Sequence, residues 1–272
     1  MKDKLFGAVG AFKARTGEFL DGGIYYCEKC KRPVQEFVDG VGLVRVECDC
    51  KRQERERKAA ADLRAKREEK RQEAFERKKS KRFDFTFASD DRRNSTASDL
   101  LKDYCENFEE RRKSGMGYIL HSPQNGGGKT FLACAVANEL IDKGYRVIVT
   151  DFLTLRDKLY DPKAFAFVSK SEVLNRLCGY DLVVIDDLGA EQSTEFMLEV
   201  EYRVIDSLTD SLVPIILTTN YTLSELKATT DINKRRVFDR IFGACALVSI
   251  DPPAGKSRRI EKCIELTKAN LT

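Results

Sequence analysis

Pro123-Gln-Asn-Gly-Gly-Gly-Lys-Thr130 is the stretch on which the reading of this chain turns. A loop that wraps an anion must point its backbone N–H groups inward, and glycine takes the required conformations at least cost. Gly126, Gly127 and Gly128 meet that need. Lys129 supplies a cation for β- and γ-phosphates, and Thr130 a hydroxyl for Mg²⁺. Tyr118-Ile-Leu-His121 before the loop reads as a strand, and Thr130 to Lys143 behind it as an apolar-rich helix ending at Gly144. That helix aims its positive end at the same anion. Pro123 stands where the phosphate-loop pattern has glycine.

Working outward, Val147–Thr150, Leu182–Ile185, Ile215–Thr219 and Ala246–Ile250 read as further strands. Thr194 to Asp210 reads as a helix with Met197, Val200, Val204 and Leu208 on one face. Strands alternating with helices predict an α/β fold, a mostly parallel sheet covered on both faces. Phe83, Phe85 and Phe87 alternate as a half-buried entrance strand would. His121 is expected as a strand-end contact rather than a catalytic base.

Further polar groups follow in an order that suits nucleotide hydrolysis. Asp181-Leu-Val-Val-Ile-Asp-Asp-Leu-Gly189 puts two carboxylates at the end of a buried strand, where ligands bind in such sheets. Asp186 is expected to hold Mg²⁺, and Asp187 to orient and deprotonate water. In Ile215-Ile-Leu-Thr-Thr-Asn220, the terminal amide is placed for the γ-phosphate or its water. In Arg235-Arg-Val-Phe-Asp-Arg240, Arg236 and Arg240 share a helix face, as an arginine finger acting on another subunit requires. A solvated basic helix is the plain alternative for that last motif.

Three compositional zones precede or contain these motifs: residues 1–50, 51–82 and 83–272 of the 272. The formal net charge of +4 hides an asymmetry. Fifteen basic and seven acidic side chains between Lys51 and Arg82 give that stretch +8, leaving −4 elsewhere. It holds no Gly or Pro, and Glu54/Lys58, Asp62/Lys66 and Glu73/Arg77 stand at helix-stabilising spacing. A charged helical linker is expected, either solvated or contacting DNA or a partner.

Nine cysteines raise the question of disulfides, yet four of them cluster. Cys27-x₂-Cys30 and Cys48-x-Cys50 are two short thiol pairs that suit tetrahedral Zn²⁺, close to a zinc ribbon. A redox pair or reduced bystanders are the alternatives. No apolar run approaches the about 20 residues of a membrane helix, and the start has no leader-like cleavage site, so a cytoplasmic protein with no membrane partner is expected.

Gly-Gly-Gly-Lys-Thr-Phe-Leu132, Val-Ile-Asp-Asp-Leu-Gly-Ala-Glu191, Leu-Thr-Thr-Asn220, Val-Phe-Asp-Arg240 and Gly-Lys-Ser-Arg-Arg259 resemble the motifs of DnaC/DnaI-type replicative helicase loaders. These are AAA+ ATPases of bacterial and phage replication, and the resemblance runs from about Phe83 to Ile260. It implies an AAA+ P-loop domain with a minimal lid, since only 22 residues follow Ile250, beside a small N-terminal zinc-binding domain. It implies ATP held by Gly126–Phe131 and Asp186, Asn220 as the sensor-1 residue and Arg240 as the trans arginine finger. Arg259 is implied as the sensor-2 arginine, with Arg258 its adjacent rival.

The implied partners are a hexameric replicative helicase (DnaB-type), single-stranded DNA and further copies of the chain in an ATP-dependent oligomer. Two alternatives stand beside this. One is a transposition ATPase of the IstB type, and the other a zinc-containing DNA-binding adaptor whose nucleotide site acts as a switch.

Overall fold

The computed structural model of the chain describes residues 13–160, 169–189, 194–250 and 257–270. It divides into two compact units, one up to Lys66 and one from Arg67 onward.

The first unit holds two antiparallel hairpins, β1 (Glu18–Asp21) with β2 (Ile24–Cys27), and β3 (Gln35–Val38) with β4 (Gly42–Arg45). Gly22 and Gly23 make the first turn with φ of 54° and 84°. Both values are positive, as a two-residue hairpin loop that follows the strand twist demands. Glu18 is buried and accepts from the Arg15 backbone N–H, Arg45 and Lys51. Burial alone would raise its carboxyl, but those three donors outweigh it and hold it below the ordinary range.

A helix, α1, then runs Asp49–Ala74. The linker expected over residues 51–82 is therefore helical only in part. Glu76 takes φ of +50° just after the helix, and Phe75 is buried with its ring 5.4 Å from that of Phe83, edge to face. One buried aromatic contact thus turns the chain and carries the P-loop unit's core back before Phe83.

The expected strand over Phe83–Phe87 is corrected. Two short 3₁₀ turns stand there, Lys81–Asp84 and Phe87–Ser89. Ser80 caps the first, and Thr86 and Ser89 cap the second reciprocally, so local side-chain hydrogen bonds win over the alternating pattern.

The second unit is built on β5 (Gly117–His121), β6 (Val147–Thr150), β7 (Leu182–Leu188), β8 (Ile215–Thr219) and β9 (Cys245–Ser249). They form one parallel sheet in the order β6-β7-β8-β5-β9. Its helices are α2 (Ser95–Glu106), α3 (Phe108–Ser114), α4 (Lys129–Asp142), α5 (Phe152–Tyr160), α6 (Lys170–Cys178), α7 (Glu195–Asp210), α8 (Leu223–Ala228), α9 (Ile232–Ala244) and α10 (Arg258–Asn270).

Strand side chains alternate between two cores, as the period of two requires. Tyr118, Leu120, Val184 and Ile216 join Leu132, Val136 and Leu140 of α4 and Leu101 and Tyr104 of α2. Ile119, Val183, Ile185 and Leu217 join Phe152 of α5, Val200 and Val204 of α7 and Val237 of α9. The expected α/β fold with helices on both faces is what the structure has.

Gly117 opens β5 where β8 passes closely, and a Cβ there would collide with the Ile215 backbone. Gly117→Ala is expected to destabilise by about 1–3 kcal/mol, the usual penalty for overpacking. Urea unfolding checks it, and an unchanged midpoint would show that the strands can part.

Candidate functional site

The sheet order decides which side chains meet. β8 lies between β7 and β5, so the C-terminal ends of three parallel strands open on one edge. The Gly-rich loop follows β5, the Asp pair ends β7 and Asn220 directly follows β8.

In the loop, Gly126 and Gly128 take φ of +83° and +110°, and Gly128 is the N-cap of α4. Lys129 is buried, its Nζ donating to the carbonyls of Ser122 (3.2 Å) and Gln124 (3.0 Å). Burial lowers its pKa, and the charges of Asp187 and Asp186 oppose that shift while Arg259 adds to it. Phe131, on the next turn position, packs its ring 5.0 Å from Phe85.

Asp186 is the centre of the site and is only 4% exposed. Its Oδ1 accepts from Thr130 Oγ1 (2.9 Å) and Thr218 Oγ1 (2.6 Å). Its Oδ2 accepts from the Arg82 guanidinium at 2.9 Å. Asp187 departs from the strand: its φ is +61°, the ladder with β8 shifts register between Ile185 and Leu188, and its N–H donates to Thr218 Oγ1. That irregularity turns its carboxylate outward to an exposed position. Burial of its surroundings and the Asp186 charge raise the Asp187 pKa, against Arg82, Lys129 and Arg259.

Two arginines of α10 reach this edge differently. Arg258 donates to the Gly127 carbonyl at 2.6 Å and grips Asp91 through two nitrogens. Burial works to raise Asp91, but Arg258 and Arg93 hold it below the usual carboxylate value. Arg259 is exposed and acts by charge on Lys129 and Asp187. Asn94 also donates to Gly127 O, at 3.0 Å.

Arg240 belongs to a different surface. It pairs with Asp206 of α7 at 3.1 Å and lines an open depression of about 770 Å³ with Tyr202, Asp210, Arg236 and Asp239. The Tyr202 hydroxyl and the Asp206 charge keep it firmly protonated. Asn220 is exposed at the end of β8, the strand next to the one that carries the Asp pair, and the next residue, Tyr221, lies on Gly189 so closely that a Cβ there would collide with its ring. Glu191 and Lys256 of the quoted motifs lie outside the described residues.

Sequence reasoning missed Arg82, Asp91, Asn94 and Thr218. Thr218 carried a signal, a hydroxyl inside an otherwise apolar strand. Arg82 carried none beyond membership of a basic run.

In the N-terminal unit, the Sγ atoms of Cys27, Cys30, Cys48 and Cys50 all lie within 4.8 Å of one another. Cys27 and Cys48 each approach Cys50, at 3.4 and 3.2 Å. Lys31 takes φ of +56°, and Cys27 N–H donates to Arg32 O, which folds the first pair into a knuckle. Backbone N–H groups of Cys30 and Lys29 pull the Cys27 thiol down to about 6. Hydrogen bonds from Cys48 and Cys27 push Cys50 up to about 12. Four soft donors at this spacing fit Zn²⁺, whose thiolates at about 2.3 Å from the metal lie about 3.8 Å apart. The apolar core beside them is small, Val34 and Tyr25 with the cysteines themselves.

Residues 47–263 match the family described as IstB-like ATP binding protein. The chain belongs to that family. Among curated relatives of this IstB-family chain, the replicative helicase loader DnaC of Escherichia coli (strain K12) is 26% identical over 140 residues, 52% of this chain and 54% of DnaC. The replicative helicase loader DnaI of Bacillus subtilis (strain 168) is 29% identical over 173 residues, 58% of this chain and 52% of DnaI. The chain thus spans about half the length of the curated relatives it matches.

A crystal structure of the DnaC helicase loader superposes with a TM-score of 0.51 at 24% identity, covering 63% of this chain and 100% of that one. At that identity it is the fold that is shared. The resemblance to DnaC/DnaI-type loaders holds in their sequences, and the IstB-family P-loop domain has the α/β fold of the DnaC structure. Among the described residues, no helix is long and apolar enough to cross a membrane.

Chelating zinc from the full chain is expected to abolish amide protection in β1–β4 while protection of the β5–β9 sheet persists, because the small unit has little other core. Hydrogen exchange read by mass spectrometry checks this, and Cys30→Ser should reproduce it. Unchanged protection in β1–β4 would show that the thiols serve no structural metal.

Proposed function

We propose that this protein hydrolyses ATP as a helicase loader, placing a hexameric replicative DNA helicase on single-stranded DNA. The observation that carries the reading is the gathering of Lys129, Thr130, Asp186, Asp187 and Asn220 at adjoining strand ends, in a family defined by ATP binding. That two curated relatives are named replicative helicase loaders supports the partner.

The N–H groups of Gly126–Thr130 and the Lys129 ammonium bind the ATP phosphates at the positive end of α4. Thr130 and Asp186 offer hard oxygen ligands for Mg²⁺, which neutralises phosphate charge when bound. Asp187 accepts a proton from the attacking water as its oxygen bonds to the γ-phosphorus. The bond from that phosphorus to the bridging oxygen breaks, and ADP leaves with the electron pair. A carboxylate raised above its ordinary pKa is the better base for that task. Asn220 orients the water.

Arg240, turned toward α7 and away from this chain's own loop, acts on ATP held by a neighbouring copy, and Arg259 senses the phosphates in cis. ATP bound between copies orders the oligomer, and hydrolysis releases it. The zinc unit and α1 tether the helicase. The grip on single-stranded DNA is largely electrostatic and weakens with salt.

Asp187→Asn should keep ATP binding and lower kcat by about 10²–10⁴-fold, the usual contribution of a positioned base. Arg240→Ala should be inactive alone and regain turnover when mixed with Lys129→Ala, which retains its arginine. Absence of that rescue would place Arg240 outside the neighbour's site.

The partner assignment is tested by pull-down from the native lysate with zinc retained. The full chain should recover a hexameric replicative helicase, and a chain lacking residues 1–82 should not. Recovery of a transposase, or of DNA without helicase, would overturn it.

A further inference from the structure

Arg82 enters the nucleotide site from outside every motif that defines it. Its guanidinium lies 2.9 Å from Asp186 Oδ2, while both hydroxyl donors, Thr130 and Thr218, occupy Oδ1. The Asp186 side chain is 5% exposed, so its charge needs a partner, and among the described residues Arg82 is the cation that pairs with it. The Arg82 charge also bears on Asp187 and on Cys134 of α4.

The backbone of Arg82 is fixed independently of this contact. Its N–H donates to Ser80 Oγ, and its carbonyl accepts from Asn138, which also donates to Phe85 O. Asn138 is 1% exposed, and the neighbouring Phe83 is buried in the core. The side chain, by contrast, is 31% exposed. The guanidinium can therefore swing into solvent without moving the turn that carries it.

Asp186 is also the carboxylate expected to hold Mg²⁺. A divalent ion and a guanidinium on one small carboxylate repel each other, and a hard cation prefers the oxygens that the guanidinium occupies. We propose that Arg82 is the resident counter-cation of this site: it holds Asp186 in the absence of Mg²⁺ and yields the carboxylate when Mg²⁺ enters with nucleotide. The inference rests on the nucleotide reading given above. It adds a cost to Mg²⁺ entry and sets how much Mg²⁺ the site demands. It also ties occupancy of the site to the exposed basic residues Arg77, Lys78, Lys79 and Lys81, because leaving Asp186 adds the Arg82 guanidinium to that run.

The test is a Mg²⁺ titration of the binding of a fluorescent, non-hydrolysable ATP analogue to the full chain. Arg82→Ala should lower the Mg²⁺ midpoint about tenfold, since a unit charge beside the ion is gone. Arg82→Lys, which keeps the charge but not the planar fork, should stay near wild type.

Melting supplies a readout that needs no nucleotide. Without Mg²⁺, Arg82→Ala should melt below wild type, because Asp186 is then buried without a cation. Mg²⁺ alone should raise its Tm more than it raises that of wild type. A midpoint unchanged or raised in Arg82→Ala overturns the proposal, a raised one meaning that Arg82 helps bind the ion or the phosphates. A wild-type chain that binds no nucleotide at any Mg²⁺ concentration overturns the ATP reading instead. The two melting responses then decide on Arg82 alone: a Tm shift by Mg²⁺ equal in both chains overturns it.

Discussion

A single buried carboxylate ties the P-loop unit together. Asp186 draws one donor from α4, one from β8 and one from the turn that precedes α2, so three separate parts of the chain must arrive before its charge is tolerable. Burying one partner without the others would leave an uncompensated ion, which costs several kcal/mol. The constraint thus reaches beyond the site. It fixes β7 against β8 at their carboxyl ends, where the ladder shifts, and holds the first turn of α4 on the sheet. The same arrangement frees Asp187 from the sheet. With Thr218 bonded to both Asp186 Oδ1 and the Asp187 N–H, the main chain kinks and the second carboxylate turns outward. A buried acid that binds and an exposed acid that reacts are thus made from adjacent residues by one strand irregularity.

Strand order then supplies the remaining geometry. Were β8 at the sheet edge, Asn220 would be remote from either the loop or the Asp pair. In the observed order it stands between them. The parallel crossovers put helices on both faces and leave the carboxyl ends open, which is where ligands gather in such sheets. α10 is brought back to this opening by Arg258, whose grip on Gly127 and Asp91 bridges the loop to the segment before α2. At Gly128 the Arg258 guanidinium lies close, and the φ of +110° strains any side chain whatever the space. The glycines therefore serve two needs, an inward-turned backbone and close approach of a cation.

The legible and illegible parts of this molecule divide along a physical line. Val147–Thr150 and Ile215–Thr219 were readable to the residue because a strand buried on both faces is a short uncharged run rich in β-branched residues. The Gly-Lys-Thr loop and the two thiol pairs were readable because their chemistry demands fixed spacings. The Phe83–Phe87 segment misled because alternation is shared by a half-buried strand and by two capped turns that drop every second ring inward. Phe75 was hidden in a charged run, where one aromatic among many Lys and Arg gives no periodic signal. Arg82, Asp91 and Asn94 act through contacts with residues 33 to 167 positions away. No local pattern encodes such pairs.

The cysteine unit shows the same dependence on one electrostatic problem, solved differently. Four thiols within 4.8 Å cannot all ionise beside one another. Backbone N–H groups from the knuckle favour the thiolate at Cys27, while hydrogen bonds from Cys48 and Cys27 keep the proton on Cys50. The Arg32 N–H lowers Cys30 as well, so the cluster alone is divided between thiols that ionise easily and one that resists. A bound dication removes the conflict, since it stabilises every thiolate at once and displaces the shared protons. Val34 and Tyr25 offer too little apolar surface to hold two hairpins by themselves. One ion in the thiol cluster would answer both the ionisation conflict and the missing core, just as Asp186 needs a cation to be buried in the larger unit.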